Sequence, residues 1–202
     1  RYKGVLRARL GIDSSRVLTG IVGRLTKIKR HRMFLDIISV LFGRRDLSGC
    51  RFLIIGDGEL KRELEDYSAA LGISDIVIFT GWLRSAAEIY ADLDIVALTS
   101  RNEGTPLCVI EAMLCARPVI STAVGGVPDL IEDGKTGLLV SPDDAEGFAG
   151  ALDRLIRDGD LRQRLGASAR EFAKNNFSKE RLIREVEGLY EELISKKGEA
   201  RR

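Results

Sequence analysis

The chain has 202 residues, 45% hydrophobic and 31% charged, a composition suited to one well-buried domain and not to a disordered or fibrous chain. Lysine and arginine (32) nearly balance aspartate and glutamate (30), so overall charge argues against a nucleic-acid binder and any anion site must be local. The longest apolar runs fall far short of the roughly 20 residues that span a bilayer, and no stretch reads as a secretory signal.

The chain opens at Arg1-Tyr2-Lys3, without methionine, and its first periodic segment is short, which reads as a piece cut from something larger. Short β-branched runs then alternate with helical stretches. Val17–Val22, Arg51–Ile55, Ile76–Thr80, Ile95–Thr99, Val119–Ser121 and Leu138–Val140 read as strands. Met33–Phe42, Leu60–Leu71, Ala86–Leu93, Pro106–Cys115 and Val127–Glu132 read as helices. That alternation predicts an α/β fold, a doubly wound parallel sheet of about six strands. After Pro142 the pattern is helical only, with segments Asp143–Arg157, Leu161–Asn175 and Lys179–Ser195 and a break at Gly159. In the last segment Leu182, Val186, Leu189 and Leu193 form an apolar stripe, which either packs on the chain's own sheet or docks onto a missing domain. With no clear linker, residues 1–202 read as one domain.

Several strands end in glycine or a small polar residue, at Gly23, Gly56-Asp57-Gly58, Gly81 and Ser100. In open α/β sheets ligands bind beyond the carboxyl ends of the strands, so these junctions are expected to line one crevice. Two glutamates, Glu103 and Glu111, follow the fourth strand and flank Gly104-Thr105-Pro106-Leu107-Cys108-Val109-Ile110. This stretch predicts a loop that becomes a helix, with Thr105 as N-cap and Pro106 at the first helical position. Such a helix start offers unpaired N–H groups to a phosphate, and the two carboxylates can accept from hydroxyls on either side of it. A sugar joined through a diphosphate to a ribose has that layout. The strongest positive cluster, Arg24 to Arg32, follows the first strand, and in it Arg24 and Lys29 suit a diphosphate.

Together these residues resemble the retaining glycosyltransferases of family 4, specifically the C-terminal nucleotide-sugar-binding half of their two-domain GT-B fold. The likeness spans roughly Val17 to Asn176 and rests on several motifs in order. These are Val22-Gly23-Arg24-Leu25 with Lys29, Ile55-Gly56-Asp57-Gly58, Asn102-Glu103-Gly104-Thr105-Pro106 through Glu111-Ala112-Met113, Arg117-Pro118-Val119-Ile120, and Gly125-Gly126-Val127-Pro128-Asp129. The resemblance implies that Arg24 and Lys29 neutralise the donor diphosphate, that Glu103 holds hydroxyls of the donor sugar, and that Glu111 holds the ribose. It further implies that Gly23 borders the phosphates, that backbone amides of Gly104, Thr105 and Leu107 around Pro106 cap oxygens there, and that Gly81-Trp82-Leu83-Arg84 lies along the base. The expected donor is a nucleotide-diphosphate sugar, most simply UDP-linked, with neither cofactor nor metal. The acceptor site is expected on an N-terminal domain missing here, so this piece alone is expected to be inactive. The resemblance is compatible with peripheral membrane association. Two departures stand out: Arg30 follows the motif lysine, where many members have glycine, and Cys108 stands where serine or glycine is frequent.

Other signals are read as structural. Asp92-Leu93-Asp94 has the Asp-x-Asp spacing of metal-dependent transferases but sits where a helix hands over to a strand. Gly56-Asp57-Gly58 lacks a dinucleotide fingerprint and reads as a turn bordering the cleft. His31, the only histidine, reads as a phosphate-rim or solvated residue because Arg30 and Arg32 flank it. Gly125-Gly126 reads as a tight turn. Cys50, Cys108 and Cys115 read as reduced core residues of a cytoplasmic protein. Two other functions fit the same residues: a UDP-sugar 2-epimerase, and a noncatalytic nucleotide-sugar-binding module or scaffold.

Overall fold

A computed structural model describes residues 2–199, so Arg1 lies outside the described residues. Six strands, β1 (Val17–Val22), β2 (Cys50–Ile55), β3 (Val77–Gly81), β4 (Ile95–Leu98), β5 (Val119–Thr122) and β6 (Leu138–Val140), form one sheet in the order β3-β2-β1-β4-β5-β6. Every pairing is parallel, as in Val17 opposite Cys50 and Thr19 opposite Ile95. Helices α1 (Val5–Arg9), α2 (His31–Arg44), α3 (Lys61–Ala70), α4 (Ala86–Asp92), α5 (Leu107–Leu114), α6 (Val127–Leu130), α7 (Ala145–Arg157), α8 (Gly159–Asn176) and α9 (Lys179–Glu199) complete the chain, with a 3₁₀ turn at Lys27–Lys29.

The sheet is apolar on both faces, so its strands read as nearly continuous hydrophobic runs, and their side chains alternate between two cores. Ile21, Phe52, Ile54 and Ile120 pack with Phe34, Ile38 and Leu41 of α2 and Phe148 and Leu152 of α7. Leu18, Leu53, Ile55 and Leu98 pack on the other face with Ile89 of α4, Val109 and Met113 of α5, and Ala169 and Ala173 of α8. Acidic or hydroxyl caps start several helices. Ser85 accepts from the Glu88 N–H, Asp144 from Gly147 and Asp158 from Leu161.

Three expectations are corrected. Helix α5 starts at Leu107, preceded by Pro106 in an extended conformation (φ −69°, ψ 108°), and Thr105 makes no cap bond. Pro106 itself is extended and takes the N-cap position, so the helix begins one residue later than expected and Thr105 lies outside it. Gly159 is the first residue of α8 and not a break, because the Asp158 cap lets a new helix begin directly after α7. The stripe on α9 does not pack on the chain's own sheet, for Leu182, Val186, Leu189 and Leu193 are all exposed.

Asp92 and Asp94 are structural. Asp92 accepts from the N–H groups of Gly4 and Arg7, while Asp94 pairs with the Arg7 guanidinium at 2.6 Å and accepts from Leu18 N–H at 2.8 Å. Together they pin α1, an element the sequence pattern shows only as a short periodic segment, onto the junction of α4 and β4.

Candidate active site

The strand order reverses between β1 and β4, and in a doubly wound sheet that switch point opens a crevice at the carboxyl ends. Here the loop after β1 delivers Gly23, Arg24 and Lys29, and the loop after β4 delivers Glu103 to Pro106. A cleft of about 560 Å³ lies between them, walled also by Gly56, by Trp82, Leu83 and Arg84 after β3, and by Leu107, Cys108 and Glu111 on α5. Of the residues expected to hold the donor, Gly81 and Gly104 do not line it, and neither do the junction residues Asp57, Gly58 and Ser100. Instead, the Gly104 carbonyl lies against Gly126.

The centre of the cleft is an ion pair. Lys29 Nζ lies 2.6 Å from Glu103 Oε1, and the Ser100 hydroxyl donates to the same oxygen at 2.5 Å. Buried hydroxyls anchor both partners. Thr99 Oγ1 donates to the carbonyls of Lys29 and Arg30, each at 3.1 Å, and Thr122 Oγ1 donates to the Ser100 carbonyl at 2.7 Å. Thr99, Ser100 and Thr122 all have 0% exposure, so these bonds are shielded from competing water. The loop after β4 is seated against a second backbone, because Gly126 N–H donates to the Glu103 carbonyl at 3.0 Å. A Cβ on Gly125 would stand 1.9 Å from that carbonyl oxygen, and Gly125 itself has φ +51°. The Gly125-Gly126 pair is therefore both a turn and a close approach of two backbones.

At the start of α5 the N–H groups of Leu107 and Cys108 have no backbone acceptor among the described residues, and they meet the cleft with the positive end of the helix. Arg24 is 77% exposed on its side chain and reaches Glu59 only at 3.9 Å, so it is free to turn inward. Burial pushes the Cys108 thiol up to about 11, with Lys29 opposing and Glu103 and Glu111 adding. Cys108 is therefore a neutral, small wall residue at neutral pH.

The basic segment divides in two. Arg24 and Lys29 face the cleft, whereas Lys27, Arg30, His31 and Arg32 line a separate hollow of about 300 Å³ between α2 and α3. Arg30 donates to the Pro142 carbonyl at 2.7 Å and sits in the left-handed region at φ 50°. Glycine would adopt that conformation without strain. Arg32 stacks over Tyr67 at 3.8 Å. His31 is neither solvated nor on the phosphate rim. It is 1% exposed, without a partner for either ring nitrogen among the described residues, and burial with Lys29 nearby lowers it to about 4. Its position in the first turn of α2 turns the ring into the core despite its charged neighbours.

The sequence places Thr99-Ser100 at a strand end expected to border the crevice but assigns neither hydroxyl a role, and it does not point to Tyr90 at all. Ser100 carried a usable signal, a hydroxyl at the end of a strand and three residues before the motif glutamate. Tyr90 carried none, since its place beside Glu111 depends on how α4 packs on α5.

The comparisons agree with this geometry. The family model described as Glycosyl transferases group 1 matches residues 16–158. The chain is 36% identical over 196 residues to D-inositol 3-phosphate glycosyltransferase of Corynebacterium jeikeium, covering 93% of this chain and 46% of that protein. It spans about half the length of the curated relatives it matches. Among solved structures, Anabaena HepE in complex with UDP matches with a TM-score of 0.82 and 25% identity over 95% of this chain and 52% of that one. The C-terminal domain of the glycosyl transferase group 1 family protein LpcC of Francisella tularensis matches with a TM-score of 0.72 and 30% identity, covering 81% of this chain and 87% of that domain. With the sheet of one half of a GT-B enzyme and the family model matched over most of its length, this chain belongs to the group 1 glycosyl transferases.

Proposed function

We propose that the cleft binds a nucleotide-diphosphate sugar, most simply UDP-linked, and that the chain is the donor half of a glycosyltransferase acting with retention. The observation that carries this reading is the convergence of Lys29, Glu103, Glu111 and the α5 start on one cleft at the switch point. The UDP held by the structurally similar HepE supports the choice of base.

In this reading the diphosphate takes the place of Glu103 beside Lys29. Arg24 swings in from solvent, and the Leu107 and Cys108 N–H groups donate to the remaining phosphate oxygens. Negative charge grows on the diphosphate as the glycosidic bond breaks, so these fixed positive groups act more strongly on the transition state than on the bound donor. Two cationic side chains and a helix terminus supply the neutralisation, and no metal is called for. Glu103, held by Ser100 through Oε1, keeps Oε2 for hydroxyls of the sugar, and Glu111 accepts from the ribose. The acceptor binds on a second domain, without which transfer does not proceed.

The test is product analysis with the full-length protein, UDP-sugars and a panel of acceptors in the presence of a chelator. Proton NMR is expected to show a product with the anomeric configuration of the donor, and Glu103→Ala or Lys29→Ala to abolish it. Near-normal turnover in either variant would reject the assigned roles. Interconversion of the free donor without acceptor would assign the protein instead to the 2-epimerases.

A further inference from the structure

Tyr90 on α4 is 1% exposed, yet its hydroxyl has no hydrogen-bond partner among the described residues. Leaving a buried hydroxyl unpaired is destabilising, and phenylalanine would fill the same space without that penalty. The ring lines the cleft and packs toward α5, where Cys108, Glu111 and Cys115 fall on one helix face at spacings of three and four. Burial first, then the neighbouring Cys108 and Glu111, with Glu111 near enough to act as an acceptor although no bond of ordinary geometry joins the two, hold the phenol far above its usual range, so at neutral pH the group carries its proton and can donate. Thiols are weak acceptors and a carboxylate is a strong one. Glu111 likewise makes no side-chain hydrogen bond among the described residues, although it stands beside the hydroxyl at the cleft wall.

We propose that Tyr90 is a positioning residue for Glu111: on nucleotide binding its hydroxyl donates to one carboxylate oxygen and turns the remaining lone pairs toward the vicinal hydroxyls of the ribose. A carboxylate has about four acceptor sites, enough for the phenol and both ribose hydroxyls at once. The unpaired Tyr90 hydroxyl is thus a donor held ready, and Glu111 closes onto it when the ligand binds. This inference rests on the donor-site reading above and adds a residue that acts through Glu111 without touching the reacting atoms.

The experiment is calorimetric titration with UDP and with its 2′-deoxy analogue, using the wild-type chain, Tyr90→Phe, Glu111→Ala and the double variant, with thermal melts alongside. Tyr90→Phe is expected to melt at or above the wild-type temperature while its preference for UDP over the deoxy analogue falls about fivefold, the scale of one hydrogen bond. In the Glu111→Ala background the same substitution is expected to change nothing further. An unchanged preference in Tyr90→Phe, or an equal loss whether or not Glu111 is present, overturns the assignment while leaving the donor site intact. Wild-type protein that binds both nucleotides equally removes the ribose contact, and with it this inference. Wild-type protein that binds neither at millimolar concentration removes the donor-site reading and the inference together.

Discussion

Lys29 and Glu103 meet at 2.6 Å across the point where the strand order reverses, one arriving from the loop after β1 and the other from the loop after β4. Here the carboxylate occupies the lysine, and in the proposed complex a phosphate does. Removing the ammonium leaves a largely buried carboxylate held only by Ser100. Lys29→Met is therefore expected to destabilise the fold by about 2 kcal/mol and to abolish nucleotide binding. Chemical denaturation and a titration on the same variant check both.

Gly125→Ala tests whether the loop after β4 must sit where it does. The new Cβ would be 1.9 Å from the Glu103 carbonyl oxygen, on a backbone at φ +51° that alanine resists. The expected outcome is a loss of about 2–3 kcal/mol in stability and loss of nucleotide affinity, because Glu103 moves with its carbonyl. By contrast Gly104→Ala meets no atom within 4 Å and is expected to fold normally. Equal stability of the two variants would reject the account of the backbone contact.

His31 gives a pH signature. Its folded-state value is lowered to about 4 from the usual 6.5, so between those values the unfolded chain binds a proton that the folded chain refuses. Stability is therefore expected to fall as pH drops through that window, by up to about 3 kcal/mol from this group. Neither ring nitrogen has a partner, so His31→Leu is expected to fold and to flatten that part of the pH profile. Melting curves at several pH values on both proteins decide the point.

Cys108 lines the cleft but carries a thiol raised to about 11. Alkylation at neutral pH is expected to be about a hundredfold slower than for an unperturbed thiol and to accelerate as pH rises. Bound UDP is expected to slow it further. Site-resolved mass spectrometry gives the rates, and fast labelling near neutrality would contradict the described burial.

The sheet was legible because each strand is a short β-branched run separated from the next by a helical period, and a parallel sheet buried on both faces leaves that pattern intact. The cleft followed from the motif spacing and from the rule that strand ends meet at a switch point. What escaped depended on three-dimensional neighbours. His31 looked solvated beside Arg30 and Arg32, yet the first turn of α2 directs it inward. Thr105 has the residue type of a cap, yet Pro106, itself extended, takes that position. Tyr90 stands beside Glu111 through packing of α4 on α5, a relation that no local pattern encodes, whereas Ser100, three residues before Glu103 at a strand end, is local.

Whether this cleft holds the nucleotide-diphosphate part of a sugar donor is decided by calorimetric titration of the chain with UDP, without added metal. Saturable binding is expected, weakened at least tenfold in Glu111→Ala, about the worth of a hydrogen bond to a charged group. Absence of binding, or binding that Glu111→Ala leaves untouched, would contradict the donor-site reading.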